Sequence, residues 1–247
     1  MIVYGVYNIK GGVGKTATSV NLAYLSGIEQ YRTLLWDLDP QGSASFYYDE
    51  VFGTDTSLKK IISGKVDLSN IICKTEYPNL DIIPADFSYR HIDAVLDQVK
   101  KSKKRIKEVL KDIKKNYDVV FIDCPPAISF LAENIFYACD FILVPTVPTT
   151  LSIRAFEQIT TFFEDDELDK SMLIPFFSMV EMKKSIHRET VNEMTRKLPN
   201  ICTSFVPFLS DIEKMGVFQK PLMEFKPNSK AATAYKLLWE EIKQKTF

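Results

Sequence analysis

Asn8-Ile9-Lys10-Gly11-Gly12-Val13-Gly14-Lys15-Thr16 decides how this chain is read. A glycine-rich turn that ends in Gly-Lys-Thr, with an apolar run before it and a helical stretch after it, is the pattern of a phosphate-binding loop. Gly11, Gly12 and Gly14 lack Cβ, so the main chain can curl and aim its N–H groups at phosphate oxygens. The helix that follows adds the positive end of its dipole. On this reading Gly11, Gly12, Val13, Gly14, Lys15, Thr16 and Ala17 line a nucleotide. Lys15 reaches the β/γ phosphates and the Thr16 hydroxyl ligates Mg²⁺. The competing reading is a glycine-rich turn with a chance Lys-Thr, against which the flanking strand and helix weigh. One departure stands out. The first glycine of the general pattern falls at position 9, which is Ile9, and a second lysine, Lys10, follows it. A lone loop lysine is usually a solvated charge. Lys15 already fills the local role, however, and a side chain leaving from position 10 can reach a phosphate on a neighbouring subunit.

Outward from the loop, apolar runs alternate with amphipathic stretches. Strands are expected at Ile2–Tyr7, Thr33–Trp36, Leu80–Pro84, Val119–Ile122, Phe141–Val144 and Leu173–Ser178. Helices are expected at Lys15–Ser26, closed by Gly27, and at about 88–115, 129–138, 152–165, 185–197 and 229–244. This alternation predicts an α/β fold, a mostly parallel sheet with helices on both faces. Its ligand site lies at the carboxyl ends of the strands. No internal repeat or low-complexity linker breaks the chain, so residues 1–247 read as one domain.

Two further clusters follow strands. In Asp37-Leu38-Asp39-Pro40-Gln41-Gly42, residues 37 and 39 share one side of an extended chain. Paired carboxylates beside a phosphate site are costly unless a metal or a bound water needs them. Asp39 is the candidate for orienting an attacking water, and Asp37 and Asp39 are candidates for the Mg²⁺ shell. Taken alone, the segment also reads as a turn capped by Asp and Gly. Val119-Val120-Phe121-Ile122-Asp123 is four apolar residues ending in a carboxylate, the Walker-B arrangement, in which Asp123 holds Mg²⁺ through water. Pro125-Pro126 starts a stiff segment placed to sense a γ-phosphate. The alternative is an ordinary buried strand ending in a turn.

The bulk numbers bound the rest. The 247 residues are 46% hydrophobic with a formal charge of −1, which fits a globular chain without a global basic field. The four cysteines form no C-x-x-C pair and there are only two histidines, so a zinc site is not expected and a reducing cytosol is. The N-terminus has no basic region of a signal peptide. The uncharged run from Phe141 to Ile153 is too short to span a bilayer.

Together these motifs resemble the ParA/MinD family of P-loop NTPases with a deviant Walker A loop. The family's K-G-G-x-G-K-T stands at Lys10–Thr16, its D-x-D-P-Q-G at Asp37–Gly42, and its Walker B ends at Asp123. Val147-Pro148-Thr149-Thr150-Leu151-Ser152 is similar to its segment after the next strand. Asp-Pro-Gln-Gly brings the ParA-type partition proteins nearest. The resemblance implies slow, partner-stimulated Mg²⁺-dependent ATP hydrolysis and a homodimer that sandwiches ATP. Lys10 would cross to the partner's nucleotide, Lys15 would act in its own subunit, and Asp39 would position the water. It also implies non-specific duplex DNA binding by the ATP dimer and a ParB-like cargo adaptor. The location implied is the cytoplasm, on the nucleoid, with a plasmid, chromosome or protein as cargo. Ser178, Met179, Pro207 and Phe208, with the rest of the 207–211 loop, would form the nucleobase pocket.

Position 208 departs from the partition pattern, where an arginine often follows the proline, and this puts the usual DNA contacts in question. Two basic stretches are candidates instead. One is Lys100–Lys115, with nine Lys/Arg and a buried side of Val95, Val99, Ile106, Val109, Leu110 and Ile113. The other is Lys183, Lys184, His187, Arg188, Lys214 and Lys220. The first also reads as a solvated helix surface, and the second, in the C-terminal third, better suits the DNA surface that the resemblance implies. A MinD-like membrane tail is the runner-up. The final stripe Ala231, Ala234, Tyr235, Leu238, Ile242 reads better as a core-facing helix, so a membrane partner is not expected. An accessory ATPase of secretion or organelle positioning would differ in partner, not in ATP chemistry. A cluster carrier lacks the paired cysteines, and a synthetase would need a substrate pocket of its own.

Overall fold

In the computed structural model, residues 1–48, 58–63, 65–97 and 102–247 are described. The first half runs β1 (Ile2–Val6), α1 (Lys15–Ile28), β2 (Thr33–Asp37), α2 (Ser43–Phe46), α3 (Leu58–Ile62), β3 (Cys73–Lys74), β4 (Leu80–Ile83), α4 (Ile92–Asp97) and α5 (Arg105–Leu110). The second runs β5 (Val119–Asp123), α6 (Phe130–Ala138), β6 (Phe141–Thr146), α7 (Thr150–Asp165), β7 (Leu173–Phe177), α8 (Ser185–Lys197), α9 (Ser210–Glu213), α10 (Met215–Phe218), α11 (Leu222–Phe225) and α12 (Lys230–Thr246).

The strands form one sheet in the order β3-β4-β2-β5-β1-β6-β7. All pairs are parallel except β3 with β4. The expected mostly parallel sheet is therefore what the chain forms. Successive strand residues serve opposite faces. Val3, Leu34, Trp36, Val120 and Ile122 enter a core with α4, α5, α6 and α7. Tyr4, Val6, Leu35, Val119 and Phe121 enter a second core with α1 and α12. Both sides are covered, so the central strands are apolar throughout rather than alternating.

Strand β5 lies between β2 and β1, and its register sets Asp123 level with Asp37 on one side and Val6 on the other. The three strand ends thus deliver the phosphate loop, Asp37 and Asp123 to one edge of the sheet.

Three expectations need correction. The stretch 88–115 is not one helix. Phe87–His91 and Ser102–Lys104 are 3₁₀ turns on either side of α4, and α5 ends at Leu110 in another. Short segments let Ile92, Leu96, Ile106 and Ile113 all reach the core, which a straight rod cannot bend to meet. Val99, Lys100 and Lys101 lie outside the described residues. Gly27 does not close α1, which runs on to Ile28 and stops where Gln30 takes φ 71°. A Cβ on Gly27 would sit 3.0 Å from the Pro78 carbonyl, so this glycine serves close approach, not termination. Strand β6 continues through Pro145, whose carbonyl takes a hydrogen bond from the Asn8 side chain at 2.9 Å. The stripe of α12 is core as expected, with Ala231, Tyr235, Leu238 and Ile242 buried. Among the described residues no helix is long and apolar enough to cross a membrane.

Candidate functional site

The loop after β1 is held from below and left open above. Gly12 and Gly14 adopt φ of 69° and 90°, values that strain any residue with a Cβ. A Cβ on Gly11 or Gly12 would meet no atom within 4 Å, whereas one on Gly14 would come within 2.9 Å of Ser178 Oγ. The front of the loop therefore faces open space, and Ser178, itself buried, supports it from behind. Helix α1 starts at Lys15 with no side-chain cap and no acidic residue in its first turn. The leading N–H groups of a helix have no acceptor within it, which is the chemistry of an anion site.

Lys15 is buried, and its ammonium donates to the Lys10 carbonyl at 3.0 Å. Burial lowers its pKa, and nearby Asp123 partly offsets this. Lys10 takes a different course. Its backbone N–H donates to Asn8 Oδ1 at 2.9 Å, and its half-buried ammonium reaches Ser152 Oγ, 3.2 Å away at the start of α7. Thr149 and Ser152 share a hydroxyl–hydroxyl bond there.

Asp123 is fully buried. Its Oδ2 accepts from Thr16 Oγ1 and its Oδ1 from Ser19 Oγ, both at 2.8 Å. Asp37 is also fully buried; its Oδ2 accepts from Ser45 N at 2.9 Å and Ser45 Oγ at 2.8 Å, and its Oδ1 from Asp39 N at 3.2 Å. Asp39 is half-exposed, and its Oδ1 accepts from Gln41 N at 3.0 Å. Burial, reinforced by the facing Asp37, pushes Asp123 up to about 8. Burial pushes Asp37 up to about 6 against the opposing Ser45 hydrogen bonds. Asp123 and Asp39 both act on the buried Lys15 ammonium, and Asp37 faces Asp123.

That arrangement suits Mg²⁺ delivered with a phosphate. Among the described residues no group of three or more His, Cys, Asp or Glu could hold a metal by itself. Thr16 and Asp123 supply oxygen on one side, and phosphate oxygens would supply the rest.

The two raised carboxyl pKa values also give a stability prediction. The folded protein keeps protons that the unfolded chain releases near pH 3.8. The contribution of these two groups to stability is thus fully present below that pH and is lost as pH rises towards about 8. Asp123→Asn removes the main contributor. The nucleotide-free variant should melt several degrees above wild type near pH 8, with the gap closing by about pH 4. Thermal melts across that range check this; a gap independent of pH would remove the buried charge as its cause.

The structure brings Lys10, Lys15, Thr16, Asp37, Asp39 and Asp123 to one edge of the sheet. Met179, at φ 56°, follows Ser178 there, and Val180 bridges to Pro207. Phe208 is 46% exposed, and its N–H donates to the Val180 carbonyl at 3.0 Å. The 207–211 loop borders two clefts of about 400 and 420 Å³, one lined by Leu209, Asp211 and Lys226, the other by Thr203, Phe205 and Pro207. Four supporting residues escaped the sequence reading: Tyr7, Asn8, Ser19 and Ser45. Ser19 was findable, since it lies three residues after Thr16 on the same helix face.

Neither basic stretch is uniformly free. His187 is buried, and its Nδ1 accepts from the Glu181 N–H, so it leaves the proposed basic face. Lys184, Lys214 and Lys220 pair with Glu181, Asp211 and Glu76. On the other stretch Lys103 pairs with Glu133 and Asp166, and Lys111 with Glu108. Lys107, Lys114 and Lys115 are exposed.

Residues 1–173 match the AAA domain family. The chain is similar to the sporulation initiation inhibitor protein Soj of Bacillus subtilis, 27% identical over 246 residues that cover 97% of each chain. It is also similar to the chromosome partitioning protein ParA of Caulobacter vibrioides, 28% identical over 97% of this chain and 93% of that one. A plasmid partition protein from Borrelia burgdorferi, bound to AMPPNP, shares the fold with a TM-score of 0.85. It is 20% identical over 99% of this chain and 98% of that one.

Proposed function

The chain belongs to the AAA domain family, in its ParA/MinD branch, and from that premise we propose an ATP-driven association switch. A subunit binds ATP with Mg²⁺ through Gly11–Ala17, with Lys15 on its own phosphates. Two subunits then pair face to face, each Lys10 crossing to the other's nucleotide. The pair binds duplex DNA without sequence preference and hydrolyses ATP slowly, faster with a cargo adaptor of the ParB kind. The cycle partitions or positions a plasmid, a chromosome or a protein cargo within the cytoplasm.

One observation carries this reading: two lysines in one phosphate loop have separate fates. Lys15 is buried beneath the loop, while Lys10 stands at its rim on a single hydroxyl. A charge held that loosely is available to another molecule. Mg²⁺, when bound, would neutralise phosphate charge and orient the β and γ groups. Thr16 and Asp123 are placed to hold it, and Asp37, locked by Ser45, adds negative field behind them. Asp39 orients the attacking water from the half-exposed end of its turn. Met179, Pro207 and Phe208 border the base, with Ser178 backing the loop at Gly14. Residues 1–247 act as one domain. Similarity to Soj and ParA along almost the whole chain supports the partition reading over a membrane one, as does the burial of the α12 stripe.

Duplex DNA binding by the purified protein, with ATP, ADP or no nucleotide, tests the switch. Pairing makes the second DNA contact intramolecular, so ATP should tighten binding by roughly a hundredfold. Equal binding in all three states would overturn the proposal. Capture by anionic vesicles without DNA binding would favour the membrane reading.

A further inference from the structure

Resting on the ATPase reading, we infer that Tyr7 is a positioning residue for hydrolysis: its hydroxyl clips the segment Pro125–Ile128 to the root of the phosphate loop. Tyr7 is the last residue before Asn8. The residue is 1% exposed, and its ring stands edge-on to Phe136 of α6, centroids 4.8 Å apart. A phenol buried that deeply needs a polar partner. It finds one 120 residues away, donating to the Ala127 carbonyl at 2.9 Å.

The partner segment is otherwise poorly held. It leaves β5 directly after Asp123 and Cys124. Pro125 and Pro126 have no N–H to give. The Ala127 N–H is spent locally on the Pro125 carbonyl at 3.0 Å. Pro126, Ala127 and Ile128 are exposed, Ile128 by 57%. Regular structure resumes only at Ser129, which caps α6. Among the described residues, the Tyr7 hydroxyl is what ties this segment to the body of the protein by a hydrogen bond.

Tyr7 is also one of three ties, which leave residues 7, 8 and 10. Asn8 Nδ2 holds the Pro145 carbonyl at the end of β6, and Lys10 reaches Ser152 on α7. Asn8 and Tyr7 thus fix the root of the loop to the segments on both sides of β1, with Tyr7 on the Asp123 side. Because the phenol directly follows β1 at the root of the loop, loop and segment keep one spacing. The segment after Asp123 then meets the terminal phosphate at a fixed place instead of finding it anew in each cycle.

Tyr7→Phe keeps the ring and removes only the clip. Loss of one neutral hydrogen bond corresponds to about a fivefold effect. ATP turnover should fall about that much in kcat, with KM within about twofold, and amide exchange at Ala127 and Ile128 should quicken by a similar factor. Phe136→Leu loosens the same packing but leaves the hydroxyl; it should lower the melting temperature without lowering kcat. An unchanged kcat and unchanged exchange in Tyr7→Phe would overturn the inference. So would an equal kcat loss in Phe136→Leu, which would make the effect one of packing. If the wild type hydrolyses no ATP, the ATPase reading fails instead, while the exchange measurement still reports whether the clip exists.

Discussion

Lys10→Ala is expected to abolish ATP-dependent dimerisation while leaving ATP binding by the single subunit nearly intact. In the isolated chain Lys10 does little for stability. Its ammonium has one hydroxyl partner at 3.2 Å, and such half-exposed side chains change stability by less than about half a kcal/mol when removed. Its backbone bond to Asn8 survives the substitution. Within the subunit the phosphates keep Lys15, Thr16 and the uncapped start of α1. Across a dimer, by contrast, Lys10 would be a cation fully desolvated against a partner's phosphate. Truncating one member of such a pair costs about 2–5 kcal/mol, which weakens dimerisation by a factor of roughly thirty to several thousand. Sedimentation with a non-hydrolysable ATP analogue, paired with a fluorescent-nucleotide titration, separates the two quantities. Dimers of unchanged affinity would remove Lys10 from the interface. Equal losses of binding and dimerisation would give it the same local role as Lys15.

The sheet was readable because its strands are buried on both faces and announce themselves as apolar runs ending in Gly, Asp or Pro. The site was readable for the same reason, since each motif follows a strand end. What the sequence conceals is which polar residue answers which. Ser45 holds Asp37 from eight residues on, and nothing local marks Ser45 as different from Ser43. Tyr7 looks like one more strand aromatic until its hydroxyl is seen at Ala127. The region 88–115 misled because its apolar spacing suits a helix, while the core it meets is curved and favours short turns. His187 misled because basic neighbours hid a buried imidazole. Periodicity reports which way a residue faces, and it is silent about partners far along the chain.

Asp39→Ala is expected to cut ATP turnover by about a hundredfold and to accumulate the ATP-bound dimer. The two carboxylates of Asp37-Leu38-Asp39 have opposite surroundings. Asp37 is fully enclosed, with Ser45 donating twice to one oxygen and the Asp39 N–H to the other. Its loss would leave a buried hydroxyl and amide unmet at a cost of about 1–3 kcal/mol, so Asp37→Ala should reduce folding stability first. Asp39 sits half-exposed just beyond, with Gln41 N–H on one oxygen. Only the second group can approach a water at the mouth of the loop, and positioned bases contribute about 10²–10⁴ in rate. Removing it spares the Lys15, Thr16 and Asp123 side chains that grip the nucleotide. Binding and dimerisation should therefore persist while hydrolysis slows, and the dimer should outlive that of wild type in the same ATP. Phosphate release and dimer lifetime, measured together, check both halves. Undiminished turnover would move water activation elsewhere in the site. Lost dimerisation would mean that Asp39 builds the interface, not the reaction.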